Sequence, residues 1–267
     1  MALRAKSPRL MTMAAILAVA GTPCFGQLHP PAPTYSAQSI VHAATQTAGA
    51  LAPNTIATIY GSNLSYSTAT ATSSSLVGGS LPLSLAGVGV IVSGWQANLF
   101  YVSPTQINFL VPYQLIAGPV NVVVTCDGLA GPEIQVQLNA SAPGMFIYNG
   151  FVLATHLDGT LLTAGSPAGP GEIIVIYALG LGKVSPATTS GKIVTSAASI
   201  TAASQMQILL AGTPCPAANI LYAGLAPGFA GLYQINMIVP PRTPPNPEIR
   251  IAFGSQISPP AVQLAAQ

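Results

Sequence analysis

The feature that most constrains this chain is that it repeats itself. Residues 98–112 read Asn-Leu-Phe-Tyr-Val-Ser-Pro-Thr-Gln-Ile-Asn-Phe-Leu-Val-Pro. The same skeleton returns as Asn219-Ile220-Leu221-Tyr222 and then Tyr233-Gln234-Ile235-Asn236-Met237-Ile238-Val239-Pro240. Pro53, Tyr60 and Leu64 match Pro170, Tyr177 and Leu181 at an offset of 117, and Asn98 and Tyr101 match Asn219 and Tyr222 at 121. Gln106, Asn108 and Pro112 match Gln234, Asn236 and Pro240 at 128, and Val136-Gln137-Leu138 matches Val262-Gln263-Leu264 at 126. The offset changes only where Gly, Pro or Ser cluster, which is where surface loops accept insertions. Internal self-similarity decides architecture ahead of local propensity. The chain reads as two copies of one unit.

That unit is built of strands. Half the residues are hydrophobic, only 4% are charged, and 26 Gly with 25 Pro punctuate the whole chain. Short apolar runs between turns fit strands whose polar faces are made of Ser, Thr, Asn and Gln, and no stretch carries a helical period. Alternate residues of a strand face opposite ways. Tyr233, Ile235, Met237 and Val239 therefore share one face, matching Ile107, Phe109 and Val111, and that face is the predicted core. Asp127-Gly128 between Val120–Thr125 and Ile134–Asn139 predicts a hairpin, and Ser65–Ser80 predicts a long exposed loop. The expected fold is all-β, two tandem immunoglobulin-like β-sandwich domains after a signal peptide. The boundaries are 1–26 signal peptide, 27–37 disordered lead-in, 38–141 first sandwich, 142–165 linker or hairpin, and 166–267 second sandwich.

The N-terminus has the three-part layout of an export signal: basic Met1–Arg9, apolar Leu10–Gly21, then small and turn-forming Thr22–Gln27. A cut after Gly26 is preferred over an uncleaved anchor, because the apolar run is short and a proline follows it. Acylation at Cys24 is a poor fit behind Pro23. An exported chain, secreted, periplasmic or at the cell surface, follows. Beyond this segment no apolar run approaches the ~18 residues of a spanning helix, so no membrane span is expected in the mature chain. The formal charge of +2 rests on Arg4, Lys6 and Arg9. Without them four basic residues face five acidic ones, a formal −1. Neutralising phosphates needs clustered Lys and Arg, so nucleic acid is excluded as a partner.

Gln106 and Asn108, like Gln234 and Asn236, point away from the core face. They are read as structural, hydrogen-bonding backbone groups of a neighbouring loop, with Pro112 and Pro240 ending the strands because proline donates nothing to a ladder. Two resemblances rest on these pieces. Gly61-Ser62-Asn63-Leu64, Val88-Gly89-Val90, the strand closing at Pro112, and Gly118 before Val122-Val123-Val124 resemble the immunoglobulin-like IPT/TIG module. A wider match covers nearly the whole mature chain. It includes Tyr60-Gly61-Ser62-Asn63-Leu64, Ser103-Pro104-Thr105-Gln106-Ile107-Asn108, Ala142-Pro143-Gly144-Met145-Phe146, Gly180-Leu181-Gly182, Tyr222-Ala223-Gly224-Leu225-Ala226-Pro227-Gly228 and Gly231-Leu232-Tyr233-Gln234-Ile235-Asn236. In these it is similar to the uncharacterised Solibacter-type C-terminal domain family of exported acidobacterial proteins. The resemblance implies an exported module and carries no activity with it.

The inventory for chemistry is thin. His29 and His42 fall in or near the lead-in, and His156 stands two residues before Asp158, where a hairpin turn explains both with less than a metal or acid/base site would. Gly180-Leu181-Gly182-Lys183-Val184 lacks the earlier Gly and the Ser or Thr of a phosphate loop. No Gly-x-Ser-x-Gly elbow occurs, and no acidic cluster offers the six or more oxygens of a calcium site. No catalytic, metal or cofactor site is expected. Cys126 and Cys215 either form a bridge between the copies or are two buried free thiols, and both readings stand. Trp95, in the turn Ser93-Gly94-Trp95-Gln96, is the aromatic expected to face solvent. The leading expectation is a non-catalytic exported structural or adhesive module with a protein or glycan partner at the cell surface. The alternative is an extracellular carbohydrate-binding module anchored by Trp95.

Overall fold

The computed structural model describes residues 31–49 and 51–267. The segment 1–26, expected to be a signal peptide, and the first part of the lead-in lie outside the described residues. Residues 31–267 form one compact unit. It is all-β: antiparallel ladders connected by turns and four single-turn 3₁₀ helices. Among the described residues no helix is long and apolar enough to cross a membrane.

The first half carries β1 (Ile40–His42), β2 (Ile56–Tyr60), β3 (Ala69–Thr70), β4 (Ser84–Leu85), β5 (Val88–Val92), β6 (Trp95–Gln96), β7 (Asn98–Val102), β8 (Gln106–Leu110), β9 (Gly118–Cys126), β10 (Leu129–Ala130) and β11 (Ile134–Leu138). One sheet runs β1-β2-β8-β7-β3; the other runs β10-β9-β5-β4, with β11 also on β9 and β6 on β5. Period-2 burial along β5 and β9 follows their alternating sequences. Val88, Val90, Val92, Val122 and Val124 from one sheet meet Ala57, Ile59, Leu99, Ile107 and Phe109 from the other in a single core.

The second half carries β12 (Gly144–Met145), β13 (Ile147–Tyr148), β14 (Phe151–Val152), β15 (Ala154–His156), β16 (Ile173–Leu179), β17 (Val184–Ser185), β18 (Ala198–Ile200), β19 (Met206–Leu210), β20 (Thr213–Pro214), β21 (Ile220–Leu225), β22 (Tyr233–Ile238), β23 (Ile249–Phe253) and β24 (Gln256–Ile257). Its sheets run β12-β16-β22-β21-β18-β17, with β15 also on β16, and β20-β19-β23-β24. A separate core lies between them, with Ile174, Ile176, Ile235 and Met237 on one side and Ile208, Leu210, Ile249 and Ile251 on the other. The triplet β16-β22-β21 stands where β2-β8-β7 stands in the first half. The register slips once in each, between Leu99 and Tyr101 on β7 and between Ile220 and Tyr222 on β21.

Several expectations need correction. The lead-in is docked, not disordered, from Pro33 onward. Thr34 pairs with Ser62, and the Tyr35 hydroxyl accepts from Val124 N at 2.8 Å and donates to Pro132 O at 2.5 Å. A phenol that satisfies an acceptor and a donor at once fastens this segment to the sheet. The range 142–165 does contain the hairpin β13–β14, but its remaining strands β12 and β15 pair with β16 and belong to the larger sheet of the second half. Ser65–Ser80 is mostly exposed, yet Ala69–Thr70 adds an edge strand to β7.

The halves are held together by more than the chain. Asn54 Nδ2 donates to Tyr233 Oη at 3.2 Å, and that phenol, fully buried, donates to the Gly182 carbonyl. Leu81 N donates to Gly191 O and Ile193 N to Gly79 O, both at 3.0 Å. Lys183 Nζ donates to the Tyr113 carbonyl and sits 4.3 Å from its ring centroid, an arrangement in which a cation gains from the ring's negative face.

Candidate functional site

The repeated amides come together with each other rather than with a loop. Gln106 Nε2 donates to Asn108 Oδ1 at 2.9 Å, and Gln234 Nε2 to Asn236 Oδ1 at 3.2 Å. Residues i and i+2 share a strand face, so the side chains reach each other directly, and Thr58 Oγ1 on the neighbouring strand also donates to Asn108 at 3.1 Å. Cys126 and Cys215 are free and buried, one in each core. Burial raises both thiols above their usual range, so the bridge is replaced by two inert thiols in separate interiors.

His156 and Asp158 do not converge on a common ligand position. Asp158 caps its own turn, accepting from Thr160 N at 2.9 Å and Thr160 Oγ1 at 2.7 Å. His156 Nδ1 meets Glu172, a partner that sequence spacing did not reveal. Its Nε2 lies 3.1 Å from Ser166 Oγ and 3.3 Å from the Ser166 carbonyl. Serine, histidine and carboxylate in line resemble a nucleophilic relay. The electrostatics favour a latch instead. The hydrogen bond to Glu172 raises His156, which favours an imidazolium donating on both sides rather than a base. Burial pushes the Glu172 carboxyl up, but bonds from Gly169 N and His156 outweigh it and leave the group below its ordinary range. Among the described residues no group of three or more His, Cys, Asp or Glu could hold a metal ion.

A cleft of about 820 Å³ opens beside Trp95. Its wall is made by a two-residue turn: Val92 pairs with Trp95, and Ser93 (φ 45°) and Gly94 (φ 83°) occupy the left-handed region that such hairpins need. Ser93 N donates to Asn121 O at 2.8 Å, and Ser93 Oγ accepts from Asn121 N at 3.1 Å. The turn is thus pinned, and the indole stands up from it, 50% exposed. Leu83, Gln96, Gln114 and Ser190 complete the rim, so residues of both halves contribute. Tyr113 N donates to Ser190 Oγ at 2.7 Å, and Ser190 in turn donates to Gln114 Oε1 at 2.7 Å.

Asn98 lies at the floor. Its Nδ2 donates to Leu81 O at 2.6 Å, and its Oδ1 is buried with no hydrogen-bond partner among the described residues. Gly191 (φ 70°) packs on this amide so closely that a Cβ there would lie 2.2 Å from Asn98 Cγ. Among the described residues no charged side chain lines the cleft. An exposed planar aromatic with neutral donors and acceptors around it is the equipment of a site for a neutral, hydroxyl-rich ligand. Sequence reasoning found Trp95. It missed Gln114, Ser190 and the Asn98 oxygen, which only the meeting of the two halves brings together.

Fold and cleft together define a two-core β-sandwich protein with an uncharged aromatic cleft. No family model matches the chain, and no curated protein matches it. Among solved structures it is similar to a surface glycan-binding protein of Prevotella bryantii, at 14% identity and a TM-score of 0.27, covering 88% of this chain and 42% of that one. It is also similar to a glycan-binding protein of the Bacteroides ovatus mixed-linkage glucan utilization locus, solved with a mixed-linkage heptasaccharide. That match has 11% identity and a TM-score of 0.32, and covers 86% of this chain and 44% of the other. The full extracellular region of plexin A4 matches at 11% identity and a TM-score of 0.27, covering 98% and 20%. The chain spans less than half the length of each, and at these scores the likenesses carry no function to it.

Proposed function

We propose that this protein is a non-catalytic, exported binding module that holds a neutral carbohydrate chain in the Trp95 cleft. The observation that carries this is the half-exposed indole standing on the wall of a large cleft without a charged side chain. An aromatic face buries the apolar C–H face of a sugar ring, while amides and hydroxyls take its hydroxyl groups. The adhesive reading becomes the same claim with a glycan as partner. The export layout of residues 1–26 supports a place outside the cytoplasm. The matching triplets and register slips support descent of both halves from one duplicated segment, and the resemblance to the Solibacter-type family is carried forward as part of this proposal. Calorimetry against a panel of neutral oligosaccharides tests it. At least one should bind, and Trp95→Ala should weaken that binding about tenfold or more. Equal affinity in the variant, or no binder in the panel, sinks the reading.

A further inference from the structure

The second half has a cleft of its own. It holds about 430 Å³ and is lined by Leu210, Pro214, Cys215, Pro216, Pro240 and Arg242, among others. It occupies the corresponding place in its sandwich. The hairpin β19–β20 turns through Ala211 (φ 49°) and Gly212 (φ 77°), with Leu210 paired to Thr213, as β5–β6 turns through Ser93 and Gly94. Gln114 follows the strand-ending Pro112 by two residues, and Arg242 follows Pro240 by two. The aromatic wall and neutral amide of the first cleft are therefore replaced by proline rings and a guanidinium.

That guanidinium is unusual for this chain. The described residues contain four Lys and Arg side chains. Lys183 donates to the Tyr113 carbonyl, Lys192 to the Gly78 carbonyl at 2.8 Å, and Arg250 to the Ser258 carbonyl at 2.7 and 3.0 Å. Arg242, exposed at the cleft, makes no hydrogen bond or ion pair among the described residues. A rigid fork of donors matches the two oxygens of a carboxylate, and the apolar rings beside it offer a surface for a sugar's C–H face.

We infer that the Arg242 cleft is a second binding site, selective for a carboxylate-bearing sugar such as a uronic acid unit of an acidic polysaccharide. The inference extends the proposed function but stands on a different cleft and can fail separately from it. The test is calorimetry of the full chain at low salt with oligogalacturonate, with the same oligomer reduced to its neutral alcohols, and with a short peptide ending in a free carboxylate. Oligogalacturonate should bind, weaken with added salt, and lose about tenfold or more in Arg242→Gln. It should retain its affinity in Trp95→Ala, the variant that breaks the neutral site. Unchanged folding of Arg242→Gln, read by near-ultraviolet circular dichroism, is expected for an exposed side chain. The inference is overturned by equal binding of the reduced oligomer, by an indifferent Arg242→Gln, by absence of binding at millimolar ligand, or by a stronger Arg242-dependent hold on the peptide.

Discussion

Replacing His42 with asparagine should flatten the acid limb of the protein's stability curve. His42 ends β1 and is 1% exposed. Its Nδ1 accepts from Ala44 N at 3.2 Å and Thr45 N at 3.3 Å, so the ring proton of the neutral form is on Nε2. Gly144 of the second half presses on the ring: a Cβ there would lie 2.3 Å from His42 Cε1. A second proton would have to go on Nδ1, against two backbone N–H groups, and would charge a buried ring. Burial accordingly pulls the group from its ordinary 6.5 down to about 4, and Nε2 has no hydrogen-bond partner among the described residues. The sign follows from proton counts. Between pH 6.5 and pH 4 the unfolded chain binds the proton and the folded chain does not, so stability is full above pH 6.5 and falls as the pH drops toward 4. A separation of about 2.5 units at 1.36 kcal/mol each amounts to roughly 3 kcal/mol.

Asparagine is the informative replacement, because its Oδ1 can accept the same two amides without titrating. Urea unfolding at half-unit steps from pH 7.5 to 4 reads the difference between the proteins. The wild type should lose about 3 kcal/mol over that range, while His42→Asn, less stable at pH 7.5 for its lost packing, should change far less. Parallel curves would refute the reasoning, since the acid loss would then belong to other groups.

Other outcomes are expected from the same geometry. Tyr233→Phe strips the hydroxyl that joins Asn54 to the Gly182 carbonyl and should cost ~1–3 kcal/mol in urea unfolding; a loss under about 0.5 kcal/mol would deny that the phenol clamps the halves. Gly191→Ala puts a methyl into the Asn98 amide at a positive φ. It should destabilise by ~1 kcal/mol or more and shift Trp95 fluorescence, and unchanged emission would speak against a shared cleft floor. Glu172→Gln should lower the His156 titration point followed by NMR. Because Glu172 raises that point, the latch stabilises fully below pH 6.5 and is lost as pH rises through the folded value. Reducing agent should leave Tm unchanged, since Cys126 and Cys215 are free; a fall of several degrees would mean a bridge.

Local pattern made the strands legible. Alternation in Tyr233–Val239 and Ile107–Val111 put one set of side chains inside, because a pleated strand has a period of two, and Asp127-Gly128 marked its hairpin because only a few residues accept a positive φ cheaply. Trp95 was legible for the same reason: a large aromatic beside Ser93-Gly94 has nowhere to hide. What the chain by itself could not reveal lies where distant segments meet. The pattern predicts backbone partners for Gln106 and Asn108, yet two residues on one face satisfy each other. His156 was weighed against Asp158, two residues away, whereas its partner Glu172 is brought close only by β15 pairing with β16. The sequence by itself determined an all-β chain and which faces are apolar, since both follow from short-range sterics and periodicity. Only the tertiary structure decided that the two cores dock as one unit, that Ser190 reaches the Trp95 cleft, and that Arg242 has no partner among the described residues. Those outcomes depend on residues far apart in the chain, and no local rule fixes their distance.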